Sequence, residues 1–221
     1  MGALALATAA GYYLTRPGPA SIARPVSPPA VDFASPSAVG SGFPLAARIS
    51  VNGNFSSHGF FTPKGHVIAA THAISHGNNI TVSWEEDGRE RQESAEVVKR
   101  DQLTGEATLL KVNDPPRHNM AVRSAGSLQV GEAVERYLGP NDRVPGTVTK
   151  LYHELEVTGS GGRSVRLKRL LVTTQIAGPG DSGAPITDAK GRVVAMLYGA
   201  SNVETIGIMI EDIKAGLTEA F

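Results

Sequence analysis

The sequence predicts an all-β protein, and three features carry that prediction. From Phe43 onward short runs of strand-forming residues recur, clusters of turn-forming residues separate them, and one segment, Glu211 to Ala220, has helix-like content. With 221 residues, 41% of them hydrophobic, the chain can bury a sizeable core and has room for one large or two small domains. Strand and turn spacing alone leaves a barrel and a sandwich both open.

In chain order, strands are read at 46–51, 59–61, 66–70, 79–84, 93–99, 108–112, 133–138, 146–155, 164–174, 183–187, 192–198 and 205–209. The turns between them are marked by Asn52-Gly53, Pro63-Lys64-Gly65, Asp87-Gly88, Gly139-Pro140-Asn141-Asp142, Gly159-Ser160-Gly161-Gly162 and Asp188-Ala189-Lys190-Gly191. Asp114-Pro115-Pro116-Arg117 is the expected crossover between the two halves of the chain. The basic run from Arg163 to Arg169 alternates like a strand with one charged face and is read as solvated.

Residues 1–42 have a different character. Met1 to Leu14 are small and apolar, with no basic residue ahead of them and Arg16 closing the run. The run is shorter than the roughly 17–25 residues a spanning helix needs and lacks the charged start of a good signal peptide. An unusual signal sequence, the trailing end of a membrane segment and a small-residue tail all fit it, so export or membrane association through residues 1–14 stays open. The Pro/Ser/Ala-rich stretch that follows, through Arg16-Pro17-Gly18-Pro19, Arg24-Pro25-Val26-Ser27-Pro28-Pro29 and Ser35-Pro36-Ser37, reads as a stiff, extended linker.

Composition excludes several functions. The 21 basic and 21 acidic residues cancel, which gives no electrostatic reason to expect a nucleic-acid partner. The absence of cysteine removes disulfides, a thiol nucleophile and any thiolate metal site, so stability must come from the core. His72 and His76 are four residues apart, as zinc ligands on a helix would be. Ala73 stands where a zincin would place glutamate, and neither a metal nor a cofactor is expected.

Chemistry is concentrated in a few segments. Gly180-Asp181-Ser182-Gly183-Ala184-Pro185 sets a serine between glycines that permit a sharp turn, the shape needed if backbone N–H groups are to converge beside its hydroxyl. By itself this is also ordinary turn chemistry. Val67-Ile68-Ala69-Ala70-Thr71-His72-Ala73-Ile74 is an apolar strand running into a short turn with a histidine at its end, and the segment from Ser57 to Ile68 leads into it as strand, Pro-Lys-Gly turn, strand. The other histidines, His58, His66, His76, His118 and His153, sit in polar or turn-like surroundings with no matching partner motif and are read as exposed side chains.

These segments resemble the nucleophile loop and the histidine segment of chymotrypsin-like (trypsin-like) serine proteases, closest in style to HtrA-type (high-temperature-requirement) bacterial and small viral members. The order of histidine, acid and serine is that of chymotrypsin, not of subtilisin or the α/β-hydrolases, and the gaps resemble those of compact bacterial and viral members. The resemblance implies Ser182 as nucleophile, His72 as base and then acid, and the N–H groups of Gly180 and Ser182 as the oxyanion hole. The acid departs from the pattern. Counting back from Leu109-Leu110-Lys111-Val112 puts Glu106 where HtrA-type members carry aspartate, whereas counting forward from Val97-Val98-Lys99-Arg100-Asp101 puts Gly105 there, as though the segment held one extra residue. Glu106 is the first choice, since the picornaviral cysteine proteases use glutamate in this role on the same fold. Asp101 is the alternative, at a position that in related sequences more often serves the loop.

The implied fold is two antiparallel six-stranded β-barrels, at 43–116 and 117–221, with the active site in the cleft between them. A short C-terminal helix closes the second, and no PDZ domain is expected after it. By the same resemblance Ile176 stands at the base of the S1 pocket, with Tyr198 and Gly199 at its wall, on the strand that pairs with the substrate backbone. Ile176 offers no counter-charge for Lys or Arg, Gly199 and Gly207 leave the entrance open, and a medium-sized apolar P1 side chain is expected. No Arg-Ile-Val-Gly-Gly-like activation site precedes His72 at a suitable distance, so trypsinogen-style activation is not expected. The expected function is a serine endopeptidase acting on protein or peptide substrates through an acyl-enzyme. The alternative is a weak or inactive protease-fold binding module, supported only by the irregular Gly105-Glu106 segment. Protein quality control and processing of a viral or phage precursor are both open as roles, as is the oligomeric state.

Overall fold

Along β1 (Ala46–Val51) the side chains of Ala47, Ile49 and Val51 are buried while Arg48 is exposed, the period-two pattern of a strand with one face on a core. The strands that follow are β2 (Asn54–Phe61), β3 (His66–Ala70), β4 (Ile80–Glu86), β5 (Arg89–Arg100) and β6 (Ala107–Lys111), with a short helix α1 (Thr71–Ile74) after β3. They close into an antiparallel barrel in the order β1-β2-β3-β6-β5-β4. The second half contributes β7 (Ala133–Gly139), β8 (Asp142–Thr158), β9 (Ser164–Thr174), β10 (Pro185–Asp188), β11 (Val193–Ala200) and β12 (Glu204–Met209), closed in the order β10-β11-β12-β9-β8-β7. Helix α2 (Ile210–Gly216) and a 3₁₀ turn (Thr218–Ala220) end the chain. This computed structural model describes residues 44–116, 120–123, 127–139, 141–158 and 164–221. The apolar N-terminal segment, the Pro-rich linker and the turn from Gly159 to Gly162 lie outside them.

The two closed six-stranded barrels and the short closing helix are the fold that the resemblance implies. Strand ends differ where local pattern is a poor guide. β5 starts at Arg89 rather than at 93, because its first residues are polar and exposed on both sides and show no apolar alternation; the Asp87-Gly88 turn pairs them with β4. Conversely β10 begins only at Pro185, since Gly183 and Ala184 belong to the preceding loop. In the basic run Arg169 is exposed and pairs with Asp212 at 2.5 Å on the first turn of α2.

Three apolar clusters organise the molecule. One fills the first barrel around Ile49, Phe61, Val67, Ala69, Val82 and Leu110. Another fills the second barrel around Val134, Leu171, Ile186, Val194 and Leu197. The third lies between them and draws on Phe60, Ile68, Ala70 and Leu109 from the first barrel and Leu170, Val193, Met196, Tyr198 and Ile208 from the second, with Ile210, Ile213 and Leu217 of the C-terminal segment. β3 is therefore apolar on both faces: Val67 and Ala69 point into their own barrel, while Ile68 and Ala70 point into the seam. Such double burial removes the alternation expected of a half-exposed strand.

One polar residue closes the β10–β11 hairpin. Asp188, 2% exposed, accepts hydrogen bonds from the N–H groups of Lys190 (2.9 Å) and Arg192 (3.0 Å) and from the Arg192 guanidinium at 2.6 Å. Burial alone would push its carboxyl up, but the bonds from Arg192 and the backbone outweigh burial and hold it below the ordinary aspartate value. The folded state thus binds this proton less readily than the unfolded chain, and the stability it contributes is complete above about pH 4. It is lost as the pH falls through the lowered folded value. Asp188→Asn is expected to cost about 2 kcal/mol at neutral pH, the scale of hydrogen bonds to a charged group. Denaturant titrations of both proteins should show the gap closing as the pH falls below 4.

Candidate active site

His72 lies on α1, Glu106 directly precedes β6, and Ser182 lies on the loop between β9 and β10. The β3–β6 register, which pairs Ala70 with Ala107, brings the first two together. That junction is tied by the Thr71 N–H donating to Glu106 O at 2.9 Å and by a 2.9 Å bond between the hydroxyls of Thr71 and Thr108. His72 Nδ1 is 3.3 Å from Glu106 Oε2, and His72 Nε2 is 3.2 Å from Ser182 Oγ. A carboxylate only accepts, so Nδ1 carries the proton and Nε2 presents its lone pair to the serine. The Ser182 hydroxyl has a second acceptor, Tyr198 O, at 3.3 Å. Both imidazole and carboxyl side chains are largely shielded, at 15% and 9% exposed.

Asp101 faces elsewhere. Its two carboxylate oxygens accept from the N–H groups of Leu103 (2.8 Å) and Thr104 (3.0 Å) and from the Thr104 hydroxyl. The loop closes with Asp101 N–H on Ala107 O and Gly105 N–H on Asp101 O. Gly105 takes φ +72°, a left-handed turn that suits glycine. It leaves Glu106, rather than Gly105, at the head of β6.

The loop that carries Ser182 is bent by Gly180 (φ +90°) and Gly183 (φ +87°). A Cβ on Gly183 would collide with the His58 carbonyl oxygen, and one on Gly180 would sit 2.7 Å from the Phe55 ring. Other residues would be both strained and obstructed at these positions. The loop is anchored by His58 N–H to Ser182 O (3.0 Å) and Gly183 N–H to Leu197 O (2.8 Å). Asp181 accepts from Gly178 N–H at 2.8 Å and from Arg136 Nη1 at 2.7 Å, and Arg136 Nη2 also reaches Asp142 at 2.5 Å. Among the described residues no acceptor engages the N–H of Gly180 or of Ser182.

Of the residues assigned to the S1 pocket, Ile176 is 2% exposed in the core of the second barrel, its N–H donating to Thr205 Oγ1 at 3.0 Å. Tyr198 is fully buried, and its ring stands edge-on to His72 at 5.1 Å between centroids. Gly199 is half-buried where the β11–β12 register shifts. Reading the remaining histidines as exposed holds for His76 but fails for His58 and for the half-buried His66. The His58 side chain is 14% exposed, its Nδ1 is 3.0 Å from Gly180 O, and Phe55 stands edge-on to it. Its ring is covered by a loop 122 residues away in the chain, which local sequence does not announce. Burial lowers the His58 imidazole below its ordinary value, with Arg48 and Arg136 acting the same way and Gly180 O and Asp181 opposing. Arg136 was likewise invisible in the sequence, as one basic residue of a strand. The His118 and His153 side chains lie outside the described residues. Among the described residues no group of three or more His, Asp or Glu side chains could hold a metal ion.

The model of the trypsin-like peptidase domain matches residues 56–196. Among solved structures, the chain is similar to the Rv3671c protease from M. tuberculosis in its active form, at 20% identity over 94% of each chain with a TM-score of 0.71. It is also similar to the MamO protease domain from Magnetospirillum magneticum (19% identity, 80% of this chain and 97% of that one, TM-score 0.64). A third is the HtrA-type protease AlgW with a decapeptide (14% identity, 84% and 65%, TM-score 0.63). These are likenesses of fold. No curated protein matches the chain. The family match spans more than half of the sequence, including His72, Glu106 and Ser182, and the chain belongs to the trypsin-like peptidase family, serine endopeptidases that act as hydrolases.

Proposed function

We propose that the protein cleaves peptide bonds through an acyl-enzyme, with Ser182 as nucleophile, His72 as general base and then general acid, and Glu106 as the carboxylate that orients His72. The 3.2 Å separation of His72 Nε2 and Ser182 Oγ carries this reading, because it is a distance over which a proton can pass. Glu106 at 3.3 Å is slightly beyond the roughly 2.6–3.2 Å of a tight contact, as is common where no substrate compresses the site. In the first step Ser182 Oγ bonds to the scissile carbonyl carbon while its proton moves to Nε2, and the carbonyl electron pair moves onto oxygen. The free N–H groups of Gly180 and Ser182 are the donors for that oxyanion. Its collapse breaks the C–N bond, and the leaving amine takes the proton from Nε2. Water then repeats the sequence on the acyl-enzyme. Glu106 stays ionised throughout and stabilises the imidazolium.

Each barrel, 43–116 and 117–221, supplies part of this machinery, so neither half is active alone. Substrates are proteins or peptides. A medium-sized apolar P1 residue fits the reading, since Ile176, six residues before Ser182, brings no charge to the pocket.

Ser182→Ala is expected to abolish labelling by a fluorophosphonate probe and to reduce peptide cleavage to the level of binding and oxyanion stabilisation alone, about 10³–10⁴-fold over water. Labelling that survives in the variant would overturn the nucleophile assignment. Glu106→Gln should lower kcat by about 10²–10⁴-fold, because a neutral amide neither enforces the tautomer nor stabilises the imidazolium. Glu106→Asp should fall between, and Asp101→Asn should lower the melting temperature with little change in kcat. A Glu106→Gln enzyme with full activity would leave a Ser-His dyad. Cleavage of a peptide set differing only at P1 should favour apolar over basic residues, and a preference for Lys or Arg would refute the pocket assignment.

A further inference from the structure

We propose that His58 is a positioning residue that holds the oxyanion-binding loop in its working shape through a hydrogen bond from Nδ1 to the Gly180 carbonyl. The inference rests on the acyl-enzyme reading above. Preorganised donors act only if they are held where charge develops, without moving during the reaction. Gly180 works against this. At φ +90° it uses a conformation open to glycine, and the same freedom lets the peptide units on either side of it rotate at low cost. The loop therefore has to be held from outside.

His58 is placed to hold it. On β2 of the first barrel, it grips the loop twice: its N–H donates to Ser182 O at 3.0 Å, and its Nδ1 lies 3.0 Å from Gly180 O. A carbonyl oxygen only accepts, so Nδ1 is the donor and the neutral ring leaves its lone pair on Nε2. Burial, which lowers the His58 imidazole below its ordinary value, favours the neutral ring. Phe55 covers the assembly. Its ring packs on Gly180, stands edge-on to His58 at 5.2 Å and carries the Arg48 guanidinium 4.9 Å from its centroid. On the far side Asp181, held by Arg136, fixes the next residue of the loop. The Gly180 carbonyl is thus pinned by the first barrel and the Asp181 carboxylate by the second, and the Gly180 N–H has no competing acceptor among the described residues.

The variants that test this are His58→Leu, which fills the space without a donor, and His58→Asn, which offers an amide N–H at nearly the place of Nδ1. Three quantities are measured: kcat and KM on a peptide amide, affinity for a peptide aldehyde that forms an oxyanion on Ser182, and affinity for the matching unreactive peptide. His58→Leu is expected to lose about 10–100-fold in kcat and a similar factor in aldehyde affinity, less than removal of a donor itself. KM and binding of the unreactive peptide should change by less than about twofold, and His58→Asn should regain most of the loss. If the leucine variant does not fold, His58→Ala is judged by the same criteria. The proposal is overturned if kcat is unchanged, if kcat falls while aldehyde affinity does not, or if asparagine does no better than leucine. A wild-type protein that neither labels with a fluorophosphonate nor cleaves peptides would instead overturn the acyl-enzyme reading, and this proposal with it.

Discussion

His72 Nε2 can stay 3.2 Å from Ser182 Oγ only if two separate barrels are held together without slack, and that constraint falls on the seam between them. Misplacement of reacting groups by about 1 Å can cost 10²-fold in rate. The seam meets the constraint chiefly with close-packed apolar side chains, joined by the hydrogen bonds of His58 to Ser182 O and Gly180 O. Ile68, Ala70 and Leu109 on one side and Met196, Tyr198 and Ile208 on the other share a single cluster, and the C-terminal segment locks it through Ile213 and Leu217. Interiors packed in this way transmit displacement instead of absorbing it. Tyr198 links the seam to the site directly, because the same fully buried ring that fills it also stands against His72.

The nucleophile loop solves a different problem. Its glycines allow the bend and the close approach to His58, but they also make the loop soft. Order is supplied by polar groups around it, chiefly the Arg136 guanidinium, which joins Asp181 to Asp142. A buried pair of this kind is weak evidence for net stability, because desolvation offsets much of the attraction. Its value lies in direction, since a planar guanidinium fixes where a carboxylate points. An internal arginine thus occupies the Asp181 carboxylate.

The acid segment shows where sequence reasoning reached its limit. Glu106 and Asp101 are both carboxylates within reach of β6, and counting from opposite ends of the segment favoured different positions. The decision depends on two geometric facts: the left-handed turn at Gly105, and the use of both Asp101 oxygens by the loop that it caps. The cap also joins the loop to the end of the chain, since a side chain on Gly216 would collide with Asp101. Likewise the polar start of β5 carried no apolar period, and only pairing with β4 makes it a strand.

Alternation of apolar residues and turn residues at the hairpins were enough for the sequence by itself to determine an all-β chain and the places of most of its strands, and the resemblance of two segments singled out His72 and Ser182 as candidates. These are local properties, set by the two-residue repeat of a strand and by the few residue types that a sharp turn admits. Tertiary structure alone decided which carboxylate faces His72, that Tyr198 backs it, and that His58 and Arg136 grip the nucleophile loop. Each of those outcomes depends on contacts between residues far apart in the chain, up to 122 positions for His58 and Gly180. They are fixed by how two closed barrels pack on a shared core, and no local pattern encodes that packing.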